Sequence, residues 1–155
     1  EDTFTITEDM IGESKNLASV TVTIECQDQG AIGPGQNNGV DASSDVSGVS
    51  GELADQTDGG NCGNGNAASM TWILIGGYDG QDYEADGTES DIRSQWMDSD
   101  DGRGDWIVEL SADVQNDLTG LFVASDDQTY DITWTATIFE VSMEPVVDIE
   151  DPTTA

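Results

Sequence analysis

The stretch Ala18-Ser19-Val20-Thr21-Val22-Thr23-Ile24-Glu25-Cys26 decides how this chain is read. Val20, Val22, Ile24 and Cys26 fall on one side of an extended backbone, and Ser19, Thr21, Thr23 and Glu25 on the other. That period of two marks a half-buried strand, and the β-branched residues on both faces suit a pleated surface with water on its outer side. The same alternation recurs outward from it. Thr3 to Glu8 sets Phe4 and Ile6 against Thr3, Thr5 and Thr7, and Trp106 to Leu110 points Trp106, Val108 and Leu110 inward. Thr129 to Met143 keeps Tyr130, Ile132, Trp134, Ala136 and Ile138 in phase. After Ile138 the phase passes to Phe139, Val141 and Met143, which predicts a β-bulge or a crossing between sheets. Ser69 to Ile75 is the most apolar run and reads as a central strand, and Leu121 to Ala124 as a further one. Ser111 to Asp117 reads as a helical turn.

Between the strands the chain is polar. Residues 27–67 hold mostly Gly, Asn, Asp, Ser and Gln, with Ile32, Val40, Val46, Val49 and Leu53 as apolar exceptions. They read as a long loop or short edge strands, and a loop of that length in a compact domain is usually functional or an interface element. Gly76 to Gln95 is acidic and polar in the same way. Some seven strands, irregularly spaced and without internal repeats, predict an all-β chain. The expected architecture is a single antiparallel β-sandwich or jelly-roll-like domain with long acidic loops. Residues 1–16 read as an N-terminal strand and spacer, 17–150 as the sandwich, and 151–155 as a C-terminal tail.

The 155 residues carry 33 Asp+Glu, 3 Lys+Arg and no His, a formal net charge of −30. No basic face exists to neutralise phosphates, which argues against nucleic acid and anionic membranes as partners. No run is long and apolar enough to insert into a membrane. Without histidine there is no imidazole base and no Ser-His or Cys-His nucleophile pair. Such a charge on a chain that is 35% hydrophobic approaches the composition of disordered proteins, yet the apolar residues come in strand-length bursts. Molar salt resolves the conflict, because it shortens the Debye length to ~3 Å and screens the self-repulsion. Scarce lysine and abundant aspartate resemble the proteins of extreme halophiles, a resemblance of composition and not of family.

Two cysteines, Cys26 at a strand end and Cys62 in a Gly/Asn-rich loop, are expected to form a disulfide closing a loop of about 36 residues, worth roughly 3–4 kcal/mol. With a start at Glu1 in place of Met, which fits signal-peptide cleavage, this points outside the cell, to a cell surface or a virion surface.

Asp98, Asp100 and Asp105 are candidate oxygen ligands for Ca²⁺, although an EF-hand register puts Gly102 at position five, where Asp is required. Arg103-Gly104-Asp105 spells a cell-adhesion tripeptide, a triplet that Gly- and Asp-rich turns generate freely. Trp72, Trp106 and Trp134 fall in core phases. Trp96 sits in a polar setting, and with Tyr78 and Tyr83 it is the candidate stacking platform for a sugar. An enzyme would have to run on carboxylates alone, and Glu25, Glu109 and Glu140 lie in outward strand phases, so catalysis is not expected.

Thr3, Phe4, Thr5, Ile6 and Thr7 form a short alternating strand followed by a polar spacer, Glu8 to Leu17. This is the pattern of a strand donated to a neighbouring subunit. The sequence therefore predicts a non-catalytic structural subunit that assembles with itself, as a filament or pilus-like fibre of an extreme halophile. A coat or decoration protein of a halophilic virus is the alternative, and a Ca²⁺-stabilised carbohydrate-binding or adhesive module the rival from another class.

Overall fold

The alternating stretches fold into two antiparallel sheets in the computed structural model, which describes residues 1–27, 39–61, 66–97, 99–113 and 129–147. In chain order the elements are β1 (Asp2–Ile6), α1 (Glu8–Ile11), β2 (Lys15–Gln27), β3 (Gly39–Asp45), β4 (Thr57–Asn61), β5 (Asn66–Ile73), α2 (Glu89–Trp96), β6 (Gly104–Asp113) and β7 (Thr129–Glu140). One sheet runs β1-β6-β3-β4 and the other β5-β2-β7, and this is the all-β sandwich that the alternation predicts.

A single core lies between the sheets. β2 supplies Leu17, Val20, Val22 and Ile24, all fully buried, and Met70 and Trp72 of β5 join them. From the other sheet come Ile6, Val40, Ala42, Trp106 and Val108. Trp72 and Trp106 meet edge to face across the gap at 5.1 Å. Each satisfies its indole locally, Trp72 Nε1 donating to the Ala54 carbonyl (2.9 Å) and Trp106 Nε1 to the Gly102 carbonyl (3.1 Å), so both can sit in an apolar interior.

The two long sides of the sandwich close differently. On the β4/β5 side the backbones come so near that a Cβ on Gly60 would collide with the Ala67 carbonyl. Only glycine fits such an approach. On the β1/β7 side Phe4 stacks on Trp134 at 5.6 Å, and Trp134 Nε1 donates to Asp2 Oδ2 at 2.7 Å. The strand expected at Thr3–Thr7 is thus β1, an edge strand paired with β6 of its own chain from Asp2↔Val108 to Ile6↔Gly104.

Several expectations need correction. Ser69–Ile75 is not central: β5 is an edge strand, and β2 occupies the middle of its sheet. Its apolar outward residue, Ile73, is 69% exposed, which inflated its apparent burial. Residues 39–45, read as loop or edge, form a central strand between β6 and β4 whose inward residues are the small Val40, Ala42 and Ser44. Ser111–Asp113 continue β6 and do not turn into helix. Residues 114–128, with the strand expected at Leu121–Ala124, lie outside the described residues. The phase change at Ile138 is no bulge in β7, which pairs with β2 through Glu140. The register shift lies in the partner strand, between Leu17 and Ser19. Phe139 points outward and is covered there by other aromatic rings.

Candidate functional site

Three surfaces carry the sequence-level candidates. The first is the outer face of the β5-β2-β7 sheet. Register places the outward residues in three rows: Ile73–Ser19–Thr137, Thr71–Thr21–Thr135 and Ser69–Thr23–Thr133. None of these side chains is ionisable, and Ser69, Thr71, Ile73, Thr133 and Thr135 are exposed. Thr21 and Thr71 share a hydroxyl hydrogen bond of 3.0 Å. Carboxylates border the grid at both ends: Glu25 and Asp131 lie in the next row, and the acidic segment that carries Tyr78 and Trp96 covers Phe139 at the other end.

At the far end of that face four aromatic rings gather. Tyr78 stacks on Phe139 at 4.4 Å, Trp96 meets the same Phe139 edge to face at 6.4 Å, and Tyr83 tilts against Trp96 at 5.5 Å. The structure thus brings together all three expected stacking residues, with Phe139 as the hub. Tyr83 is 69% exposed, while the other three rings are half-buried and use much of their surface on one another. Trp96 is held there by α2, in a segment read as polar loop. A capping signal was present: Thr88 Oγ1 accepts from the Asp91 amide (3.2 Å) and donates to the Asp91 carboxylate (2.7 Å).

The opposite sheet differs in charge. Its outer face carries Asp41, Asp45, Asp105 and Glu109, all exposed. A shallow trough of about 610 Å³ crosses β4, β3 and β6 there, lined by Asp41, Asp58 and Glu109 with Ser43, Thr57 and Ser111. The Ser47 side chain and amide hydrogen-bond the Asp45 carboxylate and hold it below the usual aspartate range. A general acid at a glycosidic bond needs the reverse shift.

The third surface is the acidic segment at 98–105. Asp98 lies outside the described residues. Ser50 clips the rest to the β3–β4 connection: its amide donates to the Arg103 carbonyl (2.7 Å), and its carbonyl accepts from the Gly102 amide (2.8 Å). Its hydroxyl donates to the Asp100 carbonyl (2.7 Å) and accepts from the Arg103 amide (2.9 Å). Asp105 accepts from Thr5 Oγ1 at 2.6 Å, across the β1/β6 ladder. The guanidinium of Arg103 binds the Asp101 carbonyl (2.7 Å) and Glu8 (3.0 Å). The tripeptide Arg103-Gly104-Asp105 is therefore built into the start of β6 and is not held out on a turn. Among the described residues, no group of three Asp, Glu or Cys is placed to hold a metal ion.

Cys26 is the penultimate residue of β2, half-buried and opposite Tyr130; Cys62, its expected partner, lies outside the described residues. No helix among the described residues is long and apolar enough to cross a membrane. Neither the family models, nor the curated proteins, nor the solved structures compared with this chain yield a match, so its fold and surfaces carry the functional argument alone.

Proposed function

We propose that this chain is a non-catalytic structural subunit of an extracellular assembly in molar salt, most simply a filament whose subunits exchange β1. The observation that carries the reading is the seat of β1. It is a five-residue edge strand near the start of the chain, and its inward side chains fill a slot between β6 and Trp134. A slot of that kind accepts the same strand from a neighbour with the same ladder and the same contacts, which is the geometry of strand addition. Gly12 and Ser14, both at positive φ, mark the turn about which β1 and α1 would swing out. A viral coat or decoration subunit would use the same slot in a closed ring.

The extracellular setting is supported by the cysteines. Cys62 falls in the four residues between Asn61 and Asn66, and Asn66 pairs with Glu25, the neighbour of Cys26. No described cysteine is free, and a disulfide between Cys26 and Cys62 is part of the same proposal.

The test is deletion of Glu1–Glu8, with electron microscopy and light scattering in about 3 M NaCl. The shortened chain should remain monomeric and take up a peptide of residues 1–8. Normal assembly by the shortened chain would overturn the reading. A second reading, a carbohydrate-binding or adhesive module, is favoured by the convergence of Tyr78, Tyr83 and Trp96. Glycan-array binding lost in Trp96→Ala would favour it over the first.

A further inference from the structure

We infer that the outer face of the β5-β2-β7 sheet is the surface through which two copies of this chain meet, face to face about a two-fold axis. Charge favours this face for a contact between copies. Each copy carries −30, so an approach that sets carboxylates against carboxylates costs repulsion and desolvation together. Salt at 1 M screens beyond ~3 Å but does not help groups pressed into contact. The three rows, eight hydroxyls and Ile73, put no carboxylate inside the contact itself. The other sheet presents Asp41, Asp45, Asp105 and Glu109. A basic partner would choose that acidic sheet, so an uncharged face points to a partner that is itself acidic.

The face is also self-complementary. A two-fold contact sets one patch against itself, which needs groups able to play both roles. A Ser or Thr hydroxyl donates and accepts, whereas a carboxylate only accepts. Ile73, 69% exposed at the corner of the grid, adds apolar area that water leaves unsatisfied. Strands ~4.8 Å apart and alternate residues ~6.7 Å apart give a grid of about 10 by 13 Å between Cα atoms. With side-chain margins the footprint is about 300 Å² per copy, against ~800 Å² for a standard interface. One such contact is weak, and it acts where copies are already crowded together. It makes no use of β1 and stands apart from the strand exchange proposed above.

The test is sedimentation equilibrium of the full chain in about 3 M NaCl, up to millimolar concentration. Wild type and Thr57→Asp, which adds the same charge on the other sheet, should rise in mass toward the dimer. Thr135→Asp, at an exposed position of the grid, should associate at least about tenfold more weakly. Circular dichroism checks its fold, and Thr71→Asp takes its place if it fails to fold. A monomeric wild type at millimolar concentration overturns the inference, as does equal weakening by Thr57→Asp and Thr135→Asp. Association that continues past the dimer and survives Thr135→Asp belongs to strand exchange, and likewise overturns the face contact.

Discussion

Replacing Phe4 by alanine probes the seat of β1 directly. Truncating a fully buried Phe costs about 3–5 kcal/mol, and the half-buried ring of Phe4 makes roughly half of that appropriate. The stack on Trp134 adds about 0.5–1.5 kcal/mol beyond area. The expected loss is about 2–4 kcal/mol. At ~2.1 cal/mol/K per residue, 155 residues give an unfolding entropy of about 0.33 kcal/mol/K, so the melting temperature should fall by roughly 6–12 °C. Thermal unfolding followed by circular dichroism in molar salt reads this, with exposed Thr3→Ala as a control expected within about 0.5 kcal/mol of wild type. A loss below about 1 kcal/mol would refute the packing of β1 onto Trp134. The wild-type scan carries a second answer. A strand seated in its own chain gives a midpoint independent of protein concentration, and one supplied by a neighbour a midpoint that rises with it.

Three further outcomes follow from the geometry. The midpoint should climb steeply between about 0.1 and 2 M NaCl as the Debye length falls from ~10 Å to below ~3 Å; a flat profile would refute the reading of the charge as an adaptation to salt. Gly60→Ala should cost about 2–3 kcal/mol, because its Cβ meets the Ala67 carbonyl, while Gly76→Ala, with open space around it, should be neutral in the same melting assay. Burial raises the pKa of Tyr130, whose hydroxyl has no hydrogen-bond partner among the described residues. The associated stability is fully present below the ordinary tyrosine value near ~10 and is lost as pH rises through the raised one, a loss that Tyr130→Phe should abolish in alkaline melts while stabilising by up to about 1 kcal/mol.

Strands were legible where inward side chains are large and alternate with hydroxyls, as in β2 and β7. β3 was not, because Val40, Ala42 and Ser44 carry almost no apolar signal. Their central place comes from pairing with β6, distant in the chain, as well as with the following strand β4, and their burial from the core between the sheets. Phe139 misled the period because an aromatic on an outward phase looks inward when only alternation is counted. What covers it, Tyr78 and Trp96, comes from a segment with no strand pattern at all. The aromatic trio was nameable from its polar surroundings, but its convergence depends on where α2 docks. The contrast between an acidic and an uncharged sheet face was hidden for a related reason. It emerges only when register aligns three strands, and each of them taken singly shows an ordinary threonine-rich outer edge.

The edge-to-face pair Trp72 and Trp106 gives the molecule an internal optical ruler. One indole belongs to each sheet, and the coupling of their transitions falls steeply as the rings move apart from 5.1 Å. Near-ultraviolet circular dichroism of this pair should therefore report the distance between the layers, whereas the far-ultraviolet signal reports the strands within each. Dilution from molar salt separates the two readings in time or in ionic strength if the layers part before the ladders melt. Coincident loss would mean that the charge opens the sandwich and the sheets as one cooperative event.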